Sequence, residues 1–330
     1  MMGDVTSSRT RVILLAVAIG LVAASCTNGD DPAPTGPSAP ASAIVAIPAS
    51  SDLYVGDPQR VAFGIVTHEG AFVSFGAAEF AFEFVGTAAG SVEPRPGPSA
   101  TARFVPTYGS PEGTGGPTVT TGSEGRGVYE ATDVVFDEAG FWTATVTLDI
   151  EGLGAQGAEA TVAVTDAPVI PAPGDPAIPS QNLTVDLSDA PLAAIDSRAA
   201  TKGKIPDEAL HEWTIAEALE QGRPALVVFA TPVYCVSRFC GPVVDMVEDL
   251  AGRFGDRAVF IHVEFWRDFN AEPQVVNAAA DEWLRMPDGS YTEPWLYLIG
   301  ADGIIVDRWS SLWSEAEVAA ALEALPPMSA

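Results

Sequence analysis

The chain has 330 residues, 47% of them apolar, which suits a protein that buries real cores and argues against global disorder. A length of this order leads us to expect about two domains. Acidic residues outnumber basic ones 44 to 16, for a formal charge of −28, and such a surface repels phosphate backbones and anionic headgroups, which excludes nucleic acid as a partner.

The first expected element is an export signal. Arg9 and Arg11 precede the apolar run "VILLAVAIGLVAA", which stops at "SC". A run this short does not reach the ~20 residues that span a bilayer, but it suits a signal h-region. The stretch "VAASC" resembles the lipobox of bacterial lipoproteins, with Ala23 where that family usually has Leu. The resemblance implies a lipoprotein-type signal peptide over 1–26 and lipid attachment at Cys26. It also implies a cell-envelope protein, lipid-anchored on the extracytoplasmic face of the membrane. Cys235 and Cys240 are then the only thiols left, and an even pair in an oxidising compartment is expected to bond. Residues 27–43, "TNGDDPAPTGPSAPASA", carry no large apolar group and read as a disordered tether.

Over 44–166 the pattern changes to short alternating strands, among them "QRVAFGIVT", "AEFAFEFVG", "GVYEATDVVF" and "GFWTATVTLDI". In the last of these, Trp142, Ala144, Val146 and Leu148 share one face and Phe141, Thr143, Thr145 and Thr147 the other, the period of a strand buried on one side. Seven or eight such runs with Gly, Pro and Asp turns predict an all-β sandwich. "GVYEATDVVFDEAGFWTATVTL" also resembles the last hairpin of immunoglobulin-like modules in bacterial exported proteins, which implies a spacer or docking role. The stretch 108–127 reads as a long loop. His68, beside Glu69-Gly70, reads as an exposed turn histidine, since no second ligand lies near it in sequence.

Prolines crowd "DAPVIPAPGDPAIPSQ", so a Pro-rich linker is expected over 167–185 and a second domain over 186–330. There, "TIAEALEQG" opens with a capping box, Thr214 with Glu217. "PALVVFA" is a continuous apolar run, the mark of a strand covered on both faces. "GPVVDMVEDLAGRFG" has helical spacing, "AVFIHVEF" is a strand, and "QVVNAAADEWL" a helix. "PWLYLIGADGIIVDRW" is a hairpin around Asp-Gly, and "SEAEVAAALEAL" a last helix with a second capping box, Ser314 with Glu317. Helices on both faces of such a sheet make a compact α/β layer structure.

Strand, cysteine loop and helix in "ALVVFATPVYCVSRFCGPVV" resemble the active-site element of the thioredoxin superfamily, and "EPWLYLIGADGIIVDRW" resembles its proline loop and terminal hairpin. The resemblance spans about residues 205–326 and gives the expected fold class: a multidomain chain, an all-β immunoglobulin-like sandwich followed by an α/β thioredoxin-like fold. It implies a disulfide between Cys235 and Cys240, a cis Pro294 facing them, and thiol–disulfide exchange with protein clients, without a cofactor. The departure is the spacing, Cys-x₄-Cys where the family has Cys-x-x-Cys. Five residues of helix rise ~7.5 Å, beyond the ~6.8 Å limit for bonded Cα atoms, so the two cysteines do not both lie in regular helix if they bond. With Pro242 in the first helical turn, Cys235 falls in the loop and Cys240 at the helix start, where amides and dipole favour a thiolate. Cys235 lies further out, and either can be the nucleophile. A bond closing so short a loop removes only ~2 kcal/mol of unfolded-state entropy, which favours redox use over a staple. Two alternatives stay open. One is a non-catalytic binding or assembly module with a structural disulfide; the other resembles the SCO-like copper handlers and uses Cys235, Cys240 and His262.

Overall fold

The computed structural model describes residues 42–328 except 112, 123–124 and 187–189. The expected signal peptide, Cys26 and all but the end of the tether lie outside the described residues. No described helix is long and apolar enough to cross a membrane.

Ten strands come first: β1 (Ile44–Pro48), β2 (Leu53–Tyr54), β3 (Gln59–Thr67), β4 (Phe72–Ser74), β5 (Ala77–Thr87), β6 (Gly90–Pro106), β7 (Thr118–Thr120), β8 (Gly127–Val134), β9 (Gly140–Ile150) and β10 (Gly154–Thr165). They pair in the order β2-β10-β9-β5-β6-β8-β3-β4-β7, with β1 added on β3. Every pairing is antiparallel except that of β2 with β10. The period-two pattern turns Phe80, Phe82 and Phe84 of β5 and Trp142, Ala144, Val146 and Leu148 of β9 to one buried face. There the rings meet edge to face, Phe63 on Phe80 at 5.1 Å and Phe84 on Trp142 at 5.3 Å, the geometry that aromatic quadrupoles prefer.

The second half holds α1 (Leu192–Ile195), α2 (Ala199–Lys202), a 3₁₀ turn (Glu208–His211), α3 (Ile215–Glu220), β11 (Ala225–Ala230), α4 (Cys240–Phe254), β12 (Val259–Glu264), β13 (Trp266–Asp268), β14 (Val275–Val276), α5 (Ala278–Leu284), β15 (Trp295–Ile299), β16 (Ile305–Ser310) and α6 (Glu315–Ala324). Four strands pair as β12-β11-β15-β16, with only β11 and β12 parallel. Strand β11 is buried along its whole length. Val243, Val247 and Leu250 of α4 and Leu322 of α6 cover Leu226, Val228 and Leu298 on one face. Ile215 of α3 and Trp283 of α5 cover Val227, Phe229 and Tyr297 on the other. The Thr214–Glu217 capping box forms as the sequence predicts. The Ser314 box does not, because Glu317 instead pairs with Arg60 of β3.

The expected fold class is corrected. Strand takes 40% of the described residues and helix 18%, so the molecule is mostly β, built around one ten-stranded mixed sheet with smaller sheets, and not an immunoglobulin-like sandwich followed by an α/β thioredoxin-like fold. The reason lies in the ladder. Strand β5 pairs with β9 on one side and β6 on the other, and β6 passes on to β8, so hydrogen bonding runs unbroken where a sandwich needs two separate sheets. Helix is scarce because the described residues of 166–214 supply only four-residue turns. The expected loop at 108–127 also carries a strand, β7, on β4.

From Ser42 onward the chain gathers into one compact unit. The Pro-rich stretch lies against β16: Gly174 N donates to Ile305 O at 2.9 Å and Ile305 N to Asp175 O at 2.9 Å. Arg308 of β16 pairs with Asp52 at 2.7 Å, both side chains nearly out of solvent, and Arg60 of β3 reaches Asp307 at 2.9 Å.

Candidate functional site

Strand β11 runs straight into Thr231-Pro232, and the loop 233–239 then reverses to enter α4 at Cys240. The reversal uses a left-handed Arg238, φ 63°, a conformation that non-glycine residues adopt only where the surroundings hold them. It brings Cys235 back over the helix start, and Cys235 and Cys240 form a disulfide with Cα atoms 6.0 Å apart. The first helical amide, Cys240 N, donates to Cys235 Sγ at 3.3 Å, and the Ser237 hydroxyl stands 3.2 Å from the same sulfur. The helix N-terminus is therefore aimed at the sulfur of Cys235, while Cys240 itself is fully buried.

Beneath Cys240 lies a group that the sequence analysis did not single out. The Glu293 carboxyl stands 2.5 Å from Cys240 Sγ, and the next residue, Pro294, is buried and follows a cis peptide bond. Burial pushes the Glu293 carboxyl up to about 7, against the opposing backbone hydrogen bond at Thr231. A carboxyl poised near neutrality suits proton exchange with a thiol. With the disulfide closed, the protonated acid donates to sulfur; with it open, the carboxylate accepts the Cys240 proton. The available signal was local: a Glu immediately before the one proline singled out for the site.

Around the loop, Val236 is 94% exposed and Val233 45%. Tyr234 stacks on Phe269 at 4.0 Å, and Trp266 meets Phe269 edge-on at 5.6 Å. Trp295 is buried in the strand β15 core, and Phe239 packs on the α4 core.

His262, from the copper-type set with Cys235 and Cys240, stands in a different cluster. It is buried in β12 with His211 and Asp196, whereas the cysteines cluster with Glu293. Burial, reinforced by His211, lowers the His262 imidazole to about 3, with Asp196 opposing. Burial works to raise Asp196, but His211 and the Arg198 guanidinium outweigh it and hold that carboxyl below its usual range. His68 is exposed, with Nε2 2.9 Å from Ser42 O, as a turn histidine should be.

The chain matches no protein-family model, and no curated protein matches it closely enough to carry an argument.

Proposed function

We propose that the protein exchanges disulfides with protein clients on the extracytoplasmic face of the membrane, to which Cys26 would tether it by lipid. The observation that carries this reading is the division of labour between two bonded sulfurs: one sits at a helix amide on an exposed loop, the other is buried against a carboxyl. In the reduced protein, the Cys235 thiolate attacks a client disulfide. A Cys235–client S–S bond forms, the client's own S–S bond breaks, and the departing client thiolate takes a proton from water. Cys240 then gives its proton to Glu293 and attacks Cys235 Sγ. The intramolecular bond closes, the client's second thiol leaves, and the client is reduced by two electrons as the pair is oxidised. The same steps in reverse oxidise a client dithiol. A disulfide that closes so short a loop constrains little chain, about 2 kcal/mol of unfolded-state entropy, which is why redox use is preferred to a structural role.

Trapping tests this. In a Cys240→Ser variant the mixed disulfide on Cys235 has no resolving thiol and accumulates on non-reducing gels; Cys235→Ser, with only the buried sulfur, accumulates far less. Equal absence of adducts from both, together with a reduction potential below about −300 mV, would identify the inert structural bond of a binding module. The copper reading draws no support from a geometry that separates His262 from the cysteines.

A further inference from the structure

A second constellation lies deeper, at Asp196, His211 and His262, and takes no part in the thiol chemistry. Each side chain is fully buried, and they come from three separate segments: the residue after α1, the end of the 3₁₀ turn, and the middle of β12. Their donor atoms lie within 4.8 Å of one another. Among the described residues, both ring nitrogens of His211 and Nδ1 of His262 are buried without a hydrogen-bond partner. A neutral imidazole has one N–H and one lone pair, and a buried donor or acceptor left unsatisfied is costly. Two of these nitrogens, His211 Nε2 and His262 Nδ1, face one carboxylate and call for a missing partner.

The separations indicate what kind. His211 Nε2 is 3.5 Å and His262 Nδ1 3.8 Å from Asp196 Oδ2, beyond the ~2.7–3.2 Å of an N–H···O bond. Ligand atoms placed tetrahedrally at ~2.1 Å from an ion stand about 3.4 Å apart, so the two carboxylate–imidazole separations need only a small contraction to close on a cation. The outer contacts fit as well. His262 Nε2 is 3.2 Å from Ala230 O; as the N–H donor to that carbonyl it leaves the Nδ1 lone pair facing the cluster, the usual way a backbone oxygen orients a ligating histidine. Asp196 is held through Oδ1 by the Arg198 backbone N–H at 2.8 Å and Nε at 3.1 Å. Oδ2 also takes Arg198 Nη2 at 2.7 Å, a contact that ligation would loosen while the Oδ1 pair keeps the carboxylate in place.

We propose that Asp196, His211 and His262 bind one divalent transition-metal ion, with zinc the best match to two imidazoles and a carboxylate and no soft sulfur ligand. Its place gives it a structural consequence: it ties the segment before α2 to β12, and Ser197, next to Asp196, accepts Val233 N of the cysteine loop at 3.2 Å. The proposal does not rest on the thiol–disulfide reading.

The test uses the full chain with the Cys235–Cys240 bond intact and Cys26 alkylated, refolded from chelator and titrated with zinc chloride and, separately, cobalt chloride. One equivalent is expected to survive gel filtration and raise the melting temperature, and the cobalt form should show ligand-field bands of low coordination number without thiolate charge transfer. His211→Gln and Asp196→Asn, which keep size and polarity, should each weaken zinc binding by about 100-fold or more, against the ~10–100-fold typical of losing only a second-shell partner. X-ray absorption on the wild-type zinc form supplies a readout that needs no variant: two imidazoles plus oxygen in the first shell. Failure of both metals to bind, binding undiminished in well-folded His211→Gln and Asp196→Asn chains, or an all-oxygen shell from the acidic surface would each overturn the site.

Discussion

Glu293→Gln keeps the shape of the group against Cys240 and removes its proton equilibrium. In the folded chain the carboxyl is raised to about 7 from a usual 4.5, a gap of about 2.5 pH units, equivalent to about 3 kcal/mol. The sign follows from linkage. Between pH 4.5 and 7 the folded state holds a proton that the unfolded state has lost, so wild-type stability falls with rising pH by about 1.4 kcal/mol per pH unit. Above 7 the whole penalty is present; below 4.5 there is none. Gln carries no such penalty, and the pH response of the remaining carboxylates is common to both proteins and cancels in the difference. Urea unfolding of the two oxidised proteins, compared at matched m-values, should show a variant more stable than wild type by up to about 3 kcal/mol near pH 8, shrinking to nothing near pH 4. A difference that stays flat across that range, or that favours the wild type at high pH, would refute the reasoning. The proton step has a kinetic counterpart: closure of a Cys235 mixed disulfide by Cys240 should lose its inflection near neutrality in the variant.

Three further outcomes follow from named contacts. Arg308→Met leaves the buried Asp52 carboxylate without its cation and should cost about 3–5 kcal/mol in urea unfolding, partly recovered by adding Asp52→Asn; a loss under about 1 kcal/mol would mean that the pair contributes little. Gly97→Ala drives a Cβ into the Trp142 ring, so a loss of about 1–3 kcal/mol with a changed near-ultraviolet tryptophan signal is expected, and an unshifted melting curve would count against it. Val236→Asp, at a position 94% exposed, should leave stability within about 0.5 kcal/mol while slowing exchange with disulfide peptides flanked by apolar residues. Equal rates would show that the loop tip is not where clients dock.

Local signals carried the sequence reading furthest. The six-residue apolar run of β11, the amphipathic spacing of α4, the Thr214 cap and the hairpin around Gly303 are each decided by neighbours within a few residues, and each is present. Sheet membership is decided elsewhere. Nothing in "AEFAFEFVG" says that its strand will bridge β9 and β6, and that pairing is what replaces the expected sandwich with one large sheet. The first half of β6, which carries Pro94, Pro96 and Pro98, was equally hidden. Along that half β6 pairs only with β5, through an irregular register, while β8 begins its pairing at Arg103, and an edge of this kind is where a strand tolerates prolines.

The cysteines were legible as a pair, but their roles were not, and the reason is geometric. Placing Cys240 first in α4 predicts that its thiolate gains from the helix end, if the sulfur is assumed to stay near its own Cα. The side chain instead turns inward to Glu293, 53 positions later, and the amide it leaves behind donates to Cys235. Electrostatic favour goes to whichever sulfur reaches the first-turn N–H groups, wherever its backbone sits. Asp196 was missed for a related reason: within "PLAAIDSRAA" it is the lone acid, and it acquires chemistry only when folding sets it between His211 and His262. In both clusters sequence reasoning missed a carboxylate, and in the second it missed His211 as well; each carboxylate lies beside a local marker, Pro294 in one case and an apolar turn in the other. An isolated acid next to backbone that must be buried is therefore the feature to pursue first in a chain whose other acids are mostly solvated.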